Sequence, residues 1–299
     1  MREAVALGGP EPAPWVALVQ FLARSGRQGE AVAATSKAAT VISPDRAAQA
    51  LAECHMAMGD PTQARSLLLD GLKERPEDPV LLSAAADLAL GTGNLTETES
   101  YLKRLGALKQ VSGDTAIWAQ RTRALVLAMR NSPTSRKEAR ALIGLEDNAD
   151  SIQPNPATPT DLVRAYAQVL AAHPETPYRR AATRLLEHLL KREAGGTEED
   201  HILLAGLEEG LGDWPKARGR LQRLVEINRN PNDTSHLVRF LRGLLETRPQ
   251  QDPEDVKLAG RWLPQLEKTA PNALITIELK ARYQSMHEVV AALEDYQAS

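Results

Sequence analysis

The sequence has a single cysteine, Cys54, and few aromatic residues: 2 Phe, 4 Trp and 5 Tyr in 299 positions. One thiol cannot close an internal disulfide, and one alone cannot supply a zinc or iron–sulfur site. The six histidines, at 55, 173, 188, 201, 236 and 287, form no H-x3-H or H-E-x2-H pair. No metal and no cofactor is therefore expected. The shortage of aromatic platforms argues against a sugar-processing site, so the carboxylates Glu198-Glu199-Asp200, Glu208-Glu209 and Asp147 with Asp150 do not read as glycosidase machinery. Also missing are the G-x-S-x-G elbow and the G-x4-G-K-[ST] phosphate loop. Gly91-Thr92-Gly93 begins like a dinucleotide fingerprint, but no strand precedes it and Thr96 stands where the third glycine belongs. Cys54 and His55 are helix neighbours that point about 100° apart, so they do not form a nucleophile and base. No catalytic residue is expected.

Nor is there an excess of either charge. Lys and Arg total 36 against 39 Asp and Glu, a formal charge of -3, with no basic block to meet a phosphate backbone. Nucleic acid is not an expected partner. No apolar run is long enough to cross a bilayer, so membrane insertion is not expected. With 42% hydrophobic and 25% charged residues, the composition is that of an ordinary folded chain. The start, MREAVALGGPEPAPW, lacks the apolar core of an export signal, because two glycines and three prolines interrupt it. As given it reads as cytoplasmic. Residues 2–7 followed by Gly8-Gly9-Pro10 read as the last turn of a helix and its stop, which suggests that the chain begins inside a longer array. A signal upstream in such a parent would place it in the envelope instead.

What the sequence has in quantity is helix punctuation. Seven times a capping side chain is followed by proline: Ser43-Pro44, Asp60-Pro61, Asp78-Pro79, Ser132-Pro133, Thr158-Pro159, Thr176-Pro177 and Asp252-Pro253. The side-chain oxygen accepts from orphan amides of the first turn, and proline at the first helical position gives up an amide that had no partner. Asn94 with Glu97 and Thr197 with Asp200 are starts of the capping-box kind. Stops come from Gly26, Gly59, Gly91, Gly93, Gly195, Gly196 and Gly212. Between starts and stops the apolar residues recur at helical spacing, as in Leu185, Leu186, Leu189 and Leu190. Residues 274–279 suit a strand by propensity, but a lone strand would have no partner, so a helix capped by Asn272 is expected there.

Ala31, Ala64 and Thr98 fall into register with separations of 33 and 34 residues. The first unit reads Trp15-x2-Leu18, with Leu22, Ala31 and Ser43-Pro44. The second reads Ala48-x2-Leu51-Ala52-x2-His55, then Ala64-x3-Leu68 and Pro76. A later unit has Leu204-Ala205, Gly212-Asp213-Trp214 and Ala217-x3-Leu221. This pattern resembles the tetratricopeptide repeat family, whose 34-residue motif is W-x2-L-G-x2-Y, then A-x3-F, then P. The units near 114–147, 159–194 and 233–270 keep the rhythm of helix pairs without the motif.

The resemblance implies an all-α fold, a right-handed α-solenoid of about seven to eight antiparallel helix pairs. The expected organisation is an N-terminal half, 1–147, with a remnant at 1–13 and pairs near 14–43, 45–77, 79–111 and 114–147. A Pro-rich loop at 148–158 follows, read as mobile. The C-terminal half, 159–299, holds pairs near 159–194, 197–230 and 233–270 and a partial pair at 272–299, with a long turn at 247–252. Trp214 reads as a helix-start staple. Arg179, Arg180, Arg184, Lys191 and Arg192 read as one basic helix face.

In the family the first helices of successive pairs line a concave groove for peptides. Carried over by register, the inward positions are Arg46, Gln49 and Glu53, then Val80, Ser83 and Asp87. They do not reproduce the lysines, arginine and asparagines with which some family members clamp a terminal carboxylate. The resulting expectation is a non-catalytic scaffold that holds a protein or peptide partner. The alternatives are a spacer in a longer envelope or secretion-associated solenoid, or the accessory repeats of an enzyme whose catalytic domain lies elsewhere.

Overall fold

The computed structural model describes residues 9–130, 132–192, 196–228, 233–246 and 252–298. Among them are fifteen α-helices and no strand. Seven consecutive pairs are α1 (Pro12–Arg24) with α2 (Gln28–Val41), α3 (Pro44–Ala57) with α4 (Pro61–Glu74), α5 (Pro79–Gly91) with α6 (Leu95–Ala107), α7 (Gly113–Met129) with α8 (Pro133–Leu142), α9 (Thr160–Ala171) with α10 (Thr176–Leu190), α11 (Glu198–Gly210) with α12 (Trp214–Ile227), and α13 (Ser235–Leu244) with α14 (Pro253–Thr269). A single helix, α15 (Leu274–Ala298), follows. The chain divides into two compact units, Met1–Asp147 with α1–α8 and Asn148–Ser299 with α9–α15. Within the units each helix packs on the next, and first helices adjoin one another at α1–α3, α3–α5 and α9–α11.

The caps explain where these helices begin. Asp60, Asp78, Ser132 and Asp252 each accept a first-turn amide with their side chains, and each precedes a proline. Thr197 and Asp200 form both arms of a capping box. Ser112, which the sequence reading passed over, caps α7 through the Thr115 amide. Two of the expected starts are displaced. Pro159 is itself the cap of α9, its extended backbone turning its carbonyl to the amides of Leu162 and Val163. Thr176 is already helical, with Glu175 before it. Residues 274–279 are helix, but Ala273, not Asn272, supplies the carbonyl that starts it, accepting from Thr276 and Ile277. The stops at Gly26, Gly59, Gly93 and Gly212 have φ between 72° and 83°, the left-handed turn that L side chains avoid. Gly91 instead closes α5 as its last residue. The helix end expected at residues 2–7, the stop at Gly195 and the turn at 247–251 lie outside the described residues.

Small residues set how closely helices approach. Ala31, Ala64 and Thr98, the three in register, are each fully buried. At Gly71 an added Cβ would stand 3.0 Å from both Ala48 Cβ and Leu81 Cδ1, so α4 meets α3 and α5 where only glycine fits without a shift. The core around them is built of Leu68, Leu72, Leu81, Leu82, Leu102 and Leu105. Trp15, at the position where the family motif has tryptophan, is buried and donates from Nε1 to the Gly9 carbonyl at 3.0 Å.

The segment 148–158 is non-helical but is not a free loop. Ala149 and Ile152 are buried. Their carbonyls accept from Arg184 Nη2 at 3.3 and 3.4 Å, and Arg192 donates to the Thr158 carbonyl at 2.9 Å and the Pro156 carbonyl at 3.3 Å. The five basic residues from 179 to 192 therefore do not form one solvated helix face, and Lys191 and Arg192 lie beyond the end of α10. Arg184 and Arg192 hold the preceding segment, whereas Arg179 turns toward α11. The carboxylates set aside in the sequence are also engaged: Glu208 with Arg220, Glu198 with His236, and Asp147 with Arg140.

Asp200 shows how such a group ties stability to pH. It is buried and receives both Nε and Nη2 of Arg164, at 2.9 Å, along with the Thr197 amide at 2.8 Å. Burial alone would raise its carboxyl, but the Arg164 and Thr197 hydrogen bonds prevail and hold it below the ordinary aspartate value. A depressed folded-state pKa contributes stability that is fully present above the unfolded value of about 3.9 and is lost as pH falls through and below it. Asp200→Asn is expected to be less stable than wild type at neutral pH and to lose less on acidification. Urea midpoints measured at pH 7 and pH 3 check this. Parallel losses in the two proteins would refute it.

Candidate functional site

A concavity of about 910 Å³ lies within the first unit. Helices α1, α3 and α5 form its walls, Leu68 of α4 its floor, and Val111, Ser112 and Thr115 at the start of α7 its far end. Small side chains, Ala52 and Ala84, keep it deep, while Met56 and Val80 present exposed apolar surface along it.

Of the sequence-predicted residues, Gln49, Glu53, Val80, Ser83 and Asp87 line this groove. Arg46 does not. It sits on the first turn of α3 and pairs with Glu11 Oε2 at 3.0 Å, drawn to the residue that precedes α1. Gln49 Nε2 donates to Glu53 Oε1 at 2.7 Å, and Ser83 Oγ donates to the Pro79 carbonyl at 2.7 Å. Asp87 has no hydrogen-bond or ion-pair partner among the described residues. Its side chain reaches solvent from the open side of the groove, yet the surrounding walls desolvate it and push its carboxyl up.

Four charged or polar residues of the groove were missed: Ser112 and Thr115 at its far end, and Gln20 and Arg24 on α1. Gln20 occupies the same repeat position as Glu53 and Asp87, 33 and then 34 residues apart, so the register of Ala31, Ala64 and Thr98 could have found it. Arg24, one turn further along α1, is exposed at the edge and has no partner among the described residues. The groove thus offers two carboxylates, one guanidinium, two side-chain amides and a continuous apolar floor. That inventory can hold an extended or helical segment by apolar contact, with a cation favoured near Asp87. Among the described residues no group of three or more His, Cys, Asp and Glu is placed to hold a metal ion, and no helix is long and apolar enough to cross a membrane.

No protein-family model matches the sequence, and no curated protein shows significant similarity to it. Solved structures do. A tetratricopeptide repeat protein from Parabacteroides merdae is 12% identical, covering 91% of this chain and 98% of its own, with a TM-score of 0.58. A chain of the APC/C hetero-tetramer Cut9–Hcn1 is 12% identical over 89% of this chain and 48% of its own, with a TM-score of 0.53. PilW, a type IV pilus biogenesis factor, is 16% identical over 79% of this chain and 97% of its own, with a TM-score of 0.51. The chain has the helical-repeat fold of tetratricopeptide proteins.

Proposed function

We propose that this chain is a non-catalytic scaffold that holds a segment of a partner protein in the groove of its first unit. The observation that carries the reading is Asp87, a carboxylate kept without a partner inside an apolar-floored concavity. The groove walls partly desolvate that carboxylate, and a cation of the partner arriving beside it would favour its charged form. The partner segment expected is therefore apolar with a Lys or Arg side chain near its middle. The Cut9–Hcn1 hetero-tetramer, in which a chain of similar fold assembles with other proteins, is consistent with such a role.

The test uses a photo-crosslinking amino acid at Val80, which is 52% exposed and lines the groove, with Ile117, 45% exposed and outside it, as the comparison site. In extract of the source cells a discrete crosslinked partner is expected from position 80 and not from 117. It should disappear with Asp87→Arg and survive Arg46→Glu, since Arg46 lies outside the groove. A partner captured equally from both positions, or one indifferent to Asp87→Arg, would remove the groove from the proposal.

A further inference from the structure

A second, differently charged notch lies in the second unit. The helix α11 carries Gly206 and Gly210, one turn apart, and two arginines from flanking helices lie across them. An added Cβ on Gly210 would stand 2.5 Å from Arg179 Nη2 and 3.1 Å from Nη1. One on Gly206 would stand 3.0 Å from Arg239 Nη2. Cβ positions four residues apart on a helix are about 6 Å from each other, so the two guanidiniums approach the same stretch of α11. Both line one cavity of about 270 Å³, with Ile202, Leu203 and Leu207 as its apolar wall.

Among the described residues no carboxylate neutralises either guanidinium. Among the described residues Arg179 Nε is buried without a hydrogen-bond partner, and Arg239 makes a long bond, 3.5 Å, to the Ile202 carbonyl. No described carboxylate forms an ion pair with either. Glu199, the acidic residue of the cavity, is exposed at its edge and pairs with neither. Elsewhere in this unit arginines at comparable depth have carboxylate partners: Arg164 with Asp200, Arg218 with Asp255, and Arg220 with Glu208. An arginine fork is built to accept two oxygens at once.

We propose that this notch receives a carboxylate side chain, Asp or Glu, from an acidic segment of a partner protein. Two guanidiniums opposite Glu199 leave one net positive charge, which suits a monoanionic carboxylate better than a dianionic phosphate. The apolar wall takes the methylenes of the incoming side chain. The site is separate from the groove of the first unit and stands or falls independently of it.

The probe is an N-acetylated, C-amidated peptide of alternating glutamate and leucine, followed through the Nε–Hε resonances of Arg179 and Arg239 in isotope-labelled full chain. Both resonances are expected to move, and removing either arginine's fork with Arg179→Gln or Arg239→Gln should weaken binding by about tenfold or more, as expected for loss of a charge-assisted hydrogen bond. Gly210→Ala supplies a variant whose fold is secure, because alanine favours the helix. Its Cβ displaces the Arg179 guanidinium, so binding should weaken while the melting temperature holds or rises. The proposal fails if neither resonance moves at millimolar peptide, if the glutamine-for-glutamate peptide moves them equally, or if affinity is unchanged in all three variants. Stronger perturbation by inorganic phosphate than by the glutamate peptide would also overturn it.

Discussion

Replacing Ala64 by Asp is expected to destabilise the first unit by about 3 kcal/mol or more, the cost of burying a charge with no partner. Ala64 is fully buried in the second helix pair of the array, in a core that also holds Ala52, Leu68, Leu81, Leu82 and Ala85. None of these can donate a hydrogen bond from its side chain. The added carboxylate could reach water only if α4 moved away from α3, which would open the contact at Gly71, where Ala48 and Leu81 already stand at the limit of approach. Because each helix pair is stabilised by its neighbours in a linear array, the damage should spread from α3 and α4 to α5 rather than remain local. Hydrogen exchange read by mass spectrometry would show it as lost protection in residues 44–91. Ala64→Ser, which adds a small group able to bond back to the carbonyl one turn earlier, should cost far less. Equal protection in Ala64→Asp and wild type would mean that the 33- and 34-residue register does not place this residue at a helix crossing.

The parts of the fold that could be read in advance are those set by chemistry within a few residues. Asp60, Asp78 and Asp252 cap helices because an oxygen, a proline and three free amides lie within one turn, and the sequence displays all of them. The positive-φ glycines at 26, 59, 93 and 212 are local in the same sense. The groove was partly legible because Gln49, Glu53, Ser83 and Asp87 inherit a repeat position, and repeat position determines which way a helix face points. The same logic put Val80 and Arg46 inward, and it failed for Arg46 alone. A long side chain at the first turn of α3 has a choice of direction, and Glu11, 35 residues earlier, decided it. The basic face assigned to α10 failed for a related reason. Three of the five cations lie on the helix and two just past its end, and Arg184 and Arg192 have carbonyls to satisfy 32 to 36 residues away. The role of Trp214 was misread likewise. It begins α12, but it is no local staple, since its ring lies against Gly243 of α13 and its indole N–H reaches α14. Partners at these separations are chosen by the stacking of pairs and leave no local mark in the sequence.

That last contact carries the second large effect. Asp255 is 1% exposed, accepts from Trp214 Nε1 at 2.6 Å through one oxygen and from Arg218 Nη1 at 2.6 Å through the other. Arg218 also reaches Asp252 at 3.0 Å. One carboxylate thus joins the first turn of α14 to two residues of α12 that lie 41 and 37 positions earlier. Asp255→Ala removes the acceptor and leaves a buried indole N–H and a guanidinium with one weaker partner. The expected loss is about 3 kcal/mol, the low end of the range for breaking a buried pair, because Arg218 is 29% exposed and water can reach it. Combining Asp255→Leu with Arg218→Met should recover much of that loss, since neither charge is then left alone. A double-mutant cycle on urea unfolding, followed by the change in tryptophan fluorescence, measures the coupling. If the losses of Asp255→Leu and Arg218→Met taken singly add up to the loss of the double variant, the ion pair contributes nothing, and the union of α12 with α14 rests on the packing of Trp214 against Gly243 and on the core of Leu221, Phe240, Leu241 and Leu263.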